Sequence, residues 1–368
     1  MKTGLIGSRI RALREERKLS QESVAEMFGF RDRQTVSAIE TGARRVTAEE
    51  LLIAIERLDA PLEYFTDPFL LAGEGRFSWR QNGVDATRLE ACERSAGSWI
   101  AAFRALAQQV GYETPLMRRA LGLTRRSRYE DAMSAGERFV TEFELGEAPA
   151  TRLADVMERE LGILVLMVDT ERGVSGAACR LPELDAVLIA RREVAGRRHF
   201  DLAHELFHLL TWDAMPPRHS EEAMETGGDR AEQLANNFAS AVLMPAATLA
   251  RFGNWSELAR VELIERLNSA AKELHVTASA LKWRLVALGE LKLAKARSLP
   301  DAALRKNGKD TGQVAPPTQF SRPFMEVLGL AIDRGCISVR RVVGLLDLSI
   351  EDLVVLFAAH NVRCSIDL

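Results

Sequence analysis

The chain has 368 residues, of which 47% are hydrophobic and 27% charged, with a formal net charge of −3 and a mean hydropathy of −0.09. That length implies two or three domains, and the composition excludes a disordered, fibrous or collagen-like chain. A charge so close to zero also excludes nucleic-acid recognition by an overall field, so any such role must rest on a local basic cluster.

Residues 5–66 read as five short helices. Leu5, Ile6, Ile10 and Leu13 recur at helical spacing, Ser20 caps QESVAEMF and Gly29 breaks it. RQTVSAIE is then ended by Gly42, Thr47 caps AEELLIAIERL, and Pro61 and Pro68 close the unit. From about 71 to 160 the sequence continues as amphipathic helices, LEACERSAGSWIAAFRALAQQV and SRYEDAMSAGERFVTEF among them. The texture changes at 161, where LGILVLMVD, VSGAACRL and DAVLIARR predict three short strands. Two helices follow, HFDLAHELFHLLTW and DRAEQLANNFASAVLMP, the second stopped by Pro245. More helices run to about 300. The polar stretch KNGKDTGQVAPPTQFS, rich in Gly and Pro, predicts a linker before a small helical tail.

The expected architecture is multidomain and mainly α. It comprises an all-α helical bundle at 1–68, a helical connector at 69–158, an α+β domain at 159–300, a linker at 301–321 and a helical tail at 322–368. Four scattered cysteines with no CxxC spacing suggest neither a disulfide framework nor a thiolate zinc site, and they fit a reducing cytoplasm. The N-terminus meets Arg and Glu after a few apolar residues, and no run approaches the roughly 18 apolar residues of a membrane span. A cytoplasmic protein with no membrane partner is expected.

Three of the six histidines fall in residues 199–208. His204, Glu205 and His208 spell HExxH; residues four apart in a helix lie about 40° apart around the axis, so both imidazoles can grip one ion. Glu205, one position over, is placed to take a proton from an attacking water. The bland alternative is a core helix with polar residues in it. Against it, Phe200, Leu202, Leu206, Phe207, Leu209 and Leu210 require most of this helix to be buried, and burying two histidines and a glutamate without partners would cost several kcal/mol. A catalytic zinc also wants a third protein ligand. Glu232, on the next helix and 24 residues past His208, is the best-placed candidate, with Asp229, Glu225, Glu221, Glu222 and His219 competing. His199 lies about 140° around the helix from His204 and should not share the metal. DAVLIARR is expected to line the cleft and pair with an extended substrate. No oxyanion donor can be named: neither Tyr112 nor Tyr129 is clearly placed for that role, and His219 is a further candidate.

RRHFDLAHELFHLLTW followed by RAEQLANNFASAVLMP resembles the ImmA/IrrE family of zinc metallo-endopeptidases, over roughly 160–250. The resemblance implies a zincin-like domain with Zn2+ held by His204, His208 and Glu232, and Glu205 as the catalytic acid/base. Asn236 would then support a ligand or simply pack. One departure is Phe207, where the family usually carries a small residue, and it bears on how open the cleft is.

LSQESVAEMFGFRDRQTVSAIETGARRVTAEELLIAI resembles the Xre/Cro-type helix-turn-helix, which implies binding to double-stranded DNA with the second helix of the motif in the major groove. Arg33, Gln34, Thr35 and Ser37 are the candidate base readers. Arg44 and Arg45, with Arg9, are candidate phosphate contacts, and Glu40 should orient an arginine. A docking or dimerisation module is the competing use of such a bundle.

Together these features imply a DNA-associated zinc endopeptidase that regulates transcription or a stress response by cleaving a regulatory protein such as a repressor; a homodimer is compatible with the pattern. The rival reading is a transcriptional regulator or antitoxin-like repressor whose zincin domain senses a ligand or binds a partner with little turnover.

Overall fold

Five short helices open the chain in the computed structural model, which describes residues 4–73, 75–113, 116–218, 220–222, 229–304 and 315–365. They are α1 (Leu5–Glu16), α2 (Gln21–Phe28), α3 (Arg33–Glu40), α4 (Ala48–Arg57) and α5 (Leu62–Thr66). Their ends follow from side chains that satisfy free backbone donors. Ser20 accepts from the Ser23 amide, Asp32 from the Thr35 amide, and Thr47 with Glu50 closes a capping box. Gly29 ends α2 at φ 71°, a conformation glycine adopts at no steric cost. Ile10, Leu13, Val24, Val36, Ile39, Ala54 and Phe65 form the core of this bundle.

Arg9 is fully buried, its guanidinium donating to the carbonyls of Tyr64, Asp67 and Leu70. The expectation of a phosphate contact at Arg9 is therefore corrected: its charge is spent tying α1 to the end of the bundle.

The rest of the chain is built on one mixed sheet. Its strands are β1 (Arg76–Gln81), β2 (Ile163–Val168), β3 (Val174–Arg180), β4 (Asp185–Ala190) and β5 (Ser220–Glu222), in the order β2-β4-β3-β1-β5. Successive side chains of a strand leave opposite faces, and this sheet has two cores accordingly. Ile163, Val165, Val187 and Ile189 enter one; Leu164, Leu166, Ala186 and Leu188 enter the other. With both faces covered, these strands read as continuous apolar runs rather than alternating ones.

Helices α6 (Ala86–Gln109), α7 (Tyr129–Glu142), α8 (Leu153–Arg159), α9 (Ala195–Thr211), α10 (Arg230–Leu243), α11 (Ala246–Ala250), α12 (Arg260–Glu273), α13 (Ala278–Ala287) and α14 (Leu293–Arg297) follow in chain order, then α15 (Arg322–Asp333), α16 (Val339–Leu346) and α17 (Ile350–Ala359). Helices α7, α9, α10, α12 and α13 build the core on one face of the sheet. Helix α6 and the tail cover the other, with Phe103 and Phe324 stacked and Trp99 Nε1 donating to the Leu345 carbonyl. At Gly136 the axes of α7 and α10 approach so closely that a Cβ would lie 2.7 Å from the Phe238 carbonyl oxygen. The whole is mainly helical, with a helical N-terminal bundle and a separate α+β unit, as the sequence leads one to expect.

Two differences matter for the site. Residues 76–81, within a stretch that reads as helical, form β1 and pair antiparallel with β3. And β4, expected to line the cleft and bind an extended substrate, lies between β2 and β3 with both edges already hydrogen-bonded. Its six residues are all buried.

Candidate metal centre

Helix α9 forms because Leu202, Ala203, Leu206, Phe207, Leu209 and Leu210 recur on its inward faces and are all buried. Each large apolar side chain there contributes roughly 1.5–3 kcal/mol through burial. This fixes the helix rotation and turns His204 and His208, one turn apart, towards α10. Asp229 caps α10 by accepting from the Ala231 amide and pairs with Arg125, so it is engaged as a cap. Glu232 follows in the first turn and reaches both imidazoles: Oε2 lies 3.1 Å from His204 Nε2 and Oε1 2.9 Å from His208 Nε2. The two Nε2 atoms are 3.0 Å apart. Of the competing residues, His219 and Glu225 lie outside the described residues. His199 Nδ1 bonds the His275 carbonyl at 2.8 Å instead.

The donor set fits a divalent cation. His204 Nδ1 faces Oδ1 of Asn236 at 3.0 Å, which places the ring proton on Nδ1 and leaves a lone pair on Nε2. That lone pair faces a carboxylate oxygen and a second imidazole nitrogen, a set of atoms that a positive centre between them would satisfy. Tetrahedral zinc, with bonds to nitrogen near 2.0–2.1 Å, separates its ligand atoms by about 3.3 Å; the spacings here are within a few tenths of an ångström of that. Among the described residues these three form the one cluster of this kind.

His204, Glu205 and His208 are each at most 2% exposed. Burial, with the positive charge of Arg80 adding and Glu232 opposing, holds the His204 imidazole down at about 4, so it is the neutral, ligating form at neutral pH. Neither carboxylate oxygen of Glu205 has a hydrogen-bond partner. Burial pushes that carboxyl well above the usual range, opposed by Arg80. Asp201, one turn earlier on α9, is pushed up to about 6 by burial, with Arg80 and Arg197 opposing. A carboxyl of raised proton affinity beside the neutral His204 imidazole suits acid/base chemistry.

Phe207 does not narrow the approach to this site. It is wholly buried and packs on Phe238 at 5.5 Å between ring centroids, inside the core. A cleft of about 690 Å³ runs between α9, α10 and α13, lined by Arg80, Phe200, Asp201, Asn236, Trp283 and Arg284 among others. It abuts the centre through Asn236, which touches His204. Arg80 and Asp201, paired at 3.2 Å, were not legible as site residues. Asp201 does carry a local signal, a lone acid one turn before Glu205 on an apolar helix. The tyrosines are engaged elsewhere: the Tyr129 hydroxyl donates to Gln233, and the Tyr112 ring packs on Phe103.

In the N-terminal bundle, Arg33, Gln34 and Arg45 are exposed, and Thr35 and Ser37 are half-buried on the outward side of α3. Arg44 is half-buried, stacks on Phe30 and forms a two-pronged pair with Glu50 at 2.6 and 3.1 Å. Glu40 accepts from Arg14 at 2.6 Å and from Gln21 at 2.8 Å, so it orients an arginine. Among the described residues no helix is long and apolar enough to cross a membrane.

Two family models match the chain. Residues 10–65 match the model described as helix-turn-helix, and residues 159–286 a peptidase model described as IrrE N-terminal-like domain. No curated protein matches. Among solved structures, the chain is similar to the apo form of the competence regulator ComR from Streptococcus vestibularis, at 12% identity over 82% of this chain and 91% of that one, with a TM-score of 0.17. It is similar also to PlcR of Bacillus thuringiensis in complex with the peptide PapR7 and DNA, at 12% identity over 90% of this chain and 98% of that one, again with a TM-score of 0.17. Residues 10–65 thus belong to the helix-turn-helix family and residues 159–286 to the IrrE N-terminal-like peptidase family, joined in a single chain.

Proposed function

We propose that the protein is a DNA-associated, zinc-dependent endopeptidase that regulates transcription or a stress response by cleaving a regulatory protein such as a repressor. The observation that carries this reading is the convergence of His204, His208 and Glu232 within 2.9–3.1 Å, with Glu205 adjacent on the same helix. His204, His208 and Glu232 would hold the zinc, whose Lewis acidity supplies polarisation of the scissile carbonyl and of the attacking water. Glu205, adjacent to both imidazoles on the same buried helix, takes the proton of that water as a carboxylate and returns it to the leaving amine. Asn236 fixes the His204 ring and tautomer. The helix-turn-helix would bring the peptidase unit to a regulator at its operator, with Arg33, Gln34, Thr35 and Ser37 reading bases and Arg45, with Arg44, meeting phosphates.

A second reading has two observations in its favour. The catalytic carboxylate is buried, and the outer edge of β1 is already paired with β5. A site so covered suits a transcriptional regulator whose peptidase-like domain senses a ligand or partner with little turnover. The experiment that separates the two measures zinc content and cleavage of co-expressed neighbouring proteins for wild type and Glu205→Gln. Equal zinc with cleavage lost in the variant supports the endopeptidase; unchanged protein levels and unchanged regulation in both support the sensor.

A further inference from the structure

Among the described residues that make up the centre above, none is a donor for the negative charge that a carbonyl oxygen acquires during hydrolysis, and the strand formed by residues 76–81 brings a guanidinium to the same face of the sheet. In the β1–β3 register Arg80 lies directly opposite Gly176. Directly opposed residues send their side chains to the same face of a sheet. At Gly176 that face is the one α9 covers, since a Cβ there would lie 3.5 Å from Glu205 Cγ. The Arg80 side chain therefore leaves the sheet beside Glu205. Its Nη1 is 3.2 Å from Asp201 Oδ1, one turn before Glu205. The same Nη1 is buried, makes no aligned hydrogen bond, and belongs to a residue that lines the cleft. Gly176 leaves open the space that a larger side chain would take between the strand and Glu205.

We propose that Arg80 is a catalytic residue that donates to the developing oxyanion of the substrate in the hydrolysis proposed above, on which this inference rests. The water oxygen adds to the carbonyl carbon while Glu205 takes one of its protons, and the π electron pair moves onto the carbonyl oxygen facing Arg80. That pair returns as the carbon–nitrogen bond breaks, Glu205 protonates the departing nitrogen, and the carboxylic acid so formed passes its proton to the amine, giving a carboxylate and an ammonium with water as the only co-reactant. A guanidinium suits the position because it stays charged when partly desolvated and presents several donors in a fixed fork. Donors held in place in a water-poor site stabilise such charge far better than the same groups in water. Arg80 lies outside residues 159–286, so the peptidase-like unit would draw part of its chemistry from the segment that joins it to the helix-turn-helix.

The test uses the zinc-loaded full chain and the variants Arg80→Gln, Arg80→Lys and Asp201→Asn. Two probes are compared within each variant: phosphoramidon, whose anionic phosphoryl group mimics the oxyanion, and acetohydroxamic acid, which chelates the metal alone. Arg80→Gln is expected to keep wild-type zinc and to bind phosphoramidon about 100-fold more weakly, while acetohydroxamate affinity changes less than about threefold. With dye-quenched casein, kcat should fall by about 10²–10³ with little change in KM, and Arg80→Lys should recover part of the loss. Equal weakening of both probes, an unchanged phosphoramidon affinity, or full reproduction of the effect by Asp201→Asn would overturn the assignment, the last by showing that Arg80 acts through α9. A wild-type protein that binds phosphoramidon through Arg80 but cleaves neither casein nor any co-expressed neighbouring protein would remove the endopeptidase reading while leaving the anion-binding role of Arg80 standing.

Discussion

His204 Nδ1 lies 3.0 Å from Oδ1 of Asn236, one turn along α10 from Glu232. The residue that completes the donor triangle and the residue that fixes the tautomer of its neighbour thus come from consecutive turns of one helix. Removing the amide by Asn236→Ala frees the ring to rotate or to change tautomer. Zinc affinity is expected to fall by about 10–100-fold, as measured by competition with a chromogenic chelator. Unchanged affinity would mean that Asn236 only packs.

Phe207 belongs to the core and not to the approach to the site. Phe207→Ala should therefore cost about 3–5 kcal/mol in denaturant unfolding through the cavity it leaves. Zinc content of the protein that remains folded should be unchanged. A variant that keeps full stability, or whose cleft accepts larger substrates, would place the ring elsewhere.

Glu158 on α8 is half-buried with Oε1 closed off from solvent, and burial pushes its carboxyl up to about 7, with Ser321 and the Val165 backbone opposing. The folded chain then binds more protons than the unfolded one between the ordinary value of 4.5 and about 7. By linkage, this group's contribution to stability is present at low pH and lost as pH rises through that window. Glu158→Gln should leave the midpoint of thermal unfolding nearly unchanged at pH 4.5 and raise stability at pH 8 by at most about 3 kcal/mol. An equal effect at both pH values would contradict the assignment.

On DNA, Arg45 and Gln34 should behave differently. Arg45→Ala is expected to weaken binding alike across sequences and to reduce the slope of log affinity against log salt by about 1. Gln34→Ala should instead relax discrimination at one base pair by about 1–3 kcal/mol. Arg44→Ala should lower the stability of the bundle as well, because it also removes the partner of Glu50. Fluorescence anisotropy over a salt series separates these outcomes.

The cluster of His204, His208 and Glu232 was legible because its spacing is local: the two histidines are one helical turn apart, and Glu232 sits in the first turn of the next helix, behind its Asp229 cap. Arg80 was not legible, since it reaches the face that carries Asp201 and Glu205 only through the register of β1 against β3, a pairing across nearly a hundred residues. RFSWRQ also carries two arginines and no β-branched residue, so only Phe77 and Trp79 favour a strand and tertiary pairing supplies the rest. The error over β4 had a visible signal. After Asp185, every residue of DAVLIA is apolar, so both faces of the strand are apolar, which marks a central strand more than an edge strand bordering solvent. Arg9 misled because an arginine near a DNA-binding helix reads as a phosphate contact. Only the fold shows three carbonyls converging on it.

The most direct measurement is zinc per chain, by elemental mass spectrometry after dialysis against a weak chelator, for wild type, Glu205→Gln and Glu232→Ala. The account expects about one zinc per chain in the first two and almost none in the third, with each variant as folded as its metal state allows. A Glu232→Ala protein that keeps its full zinc, or a folded wild type that binds none, would contradict it.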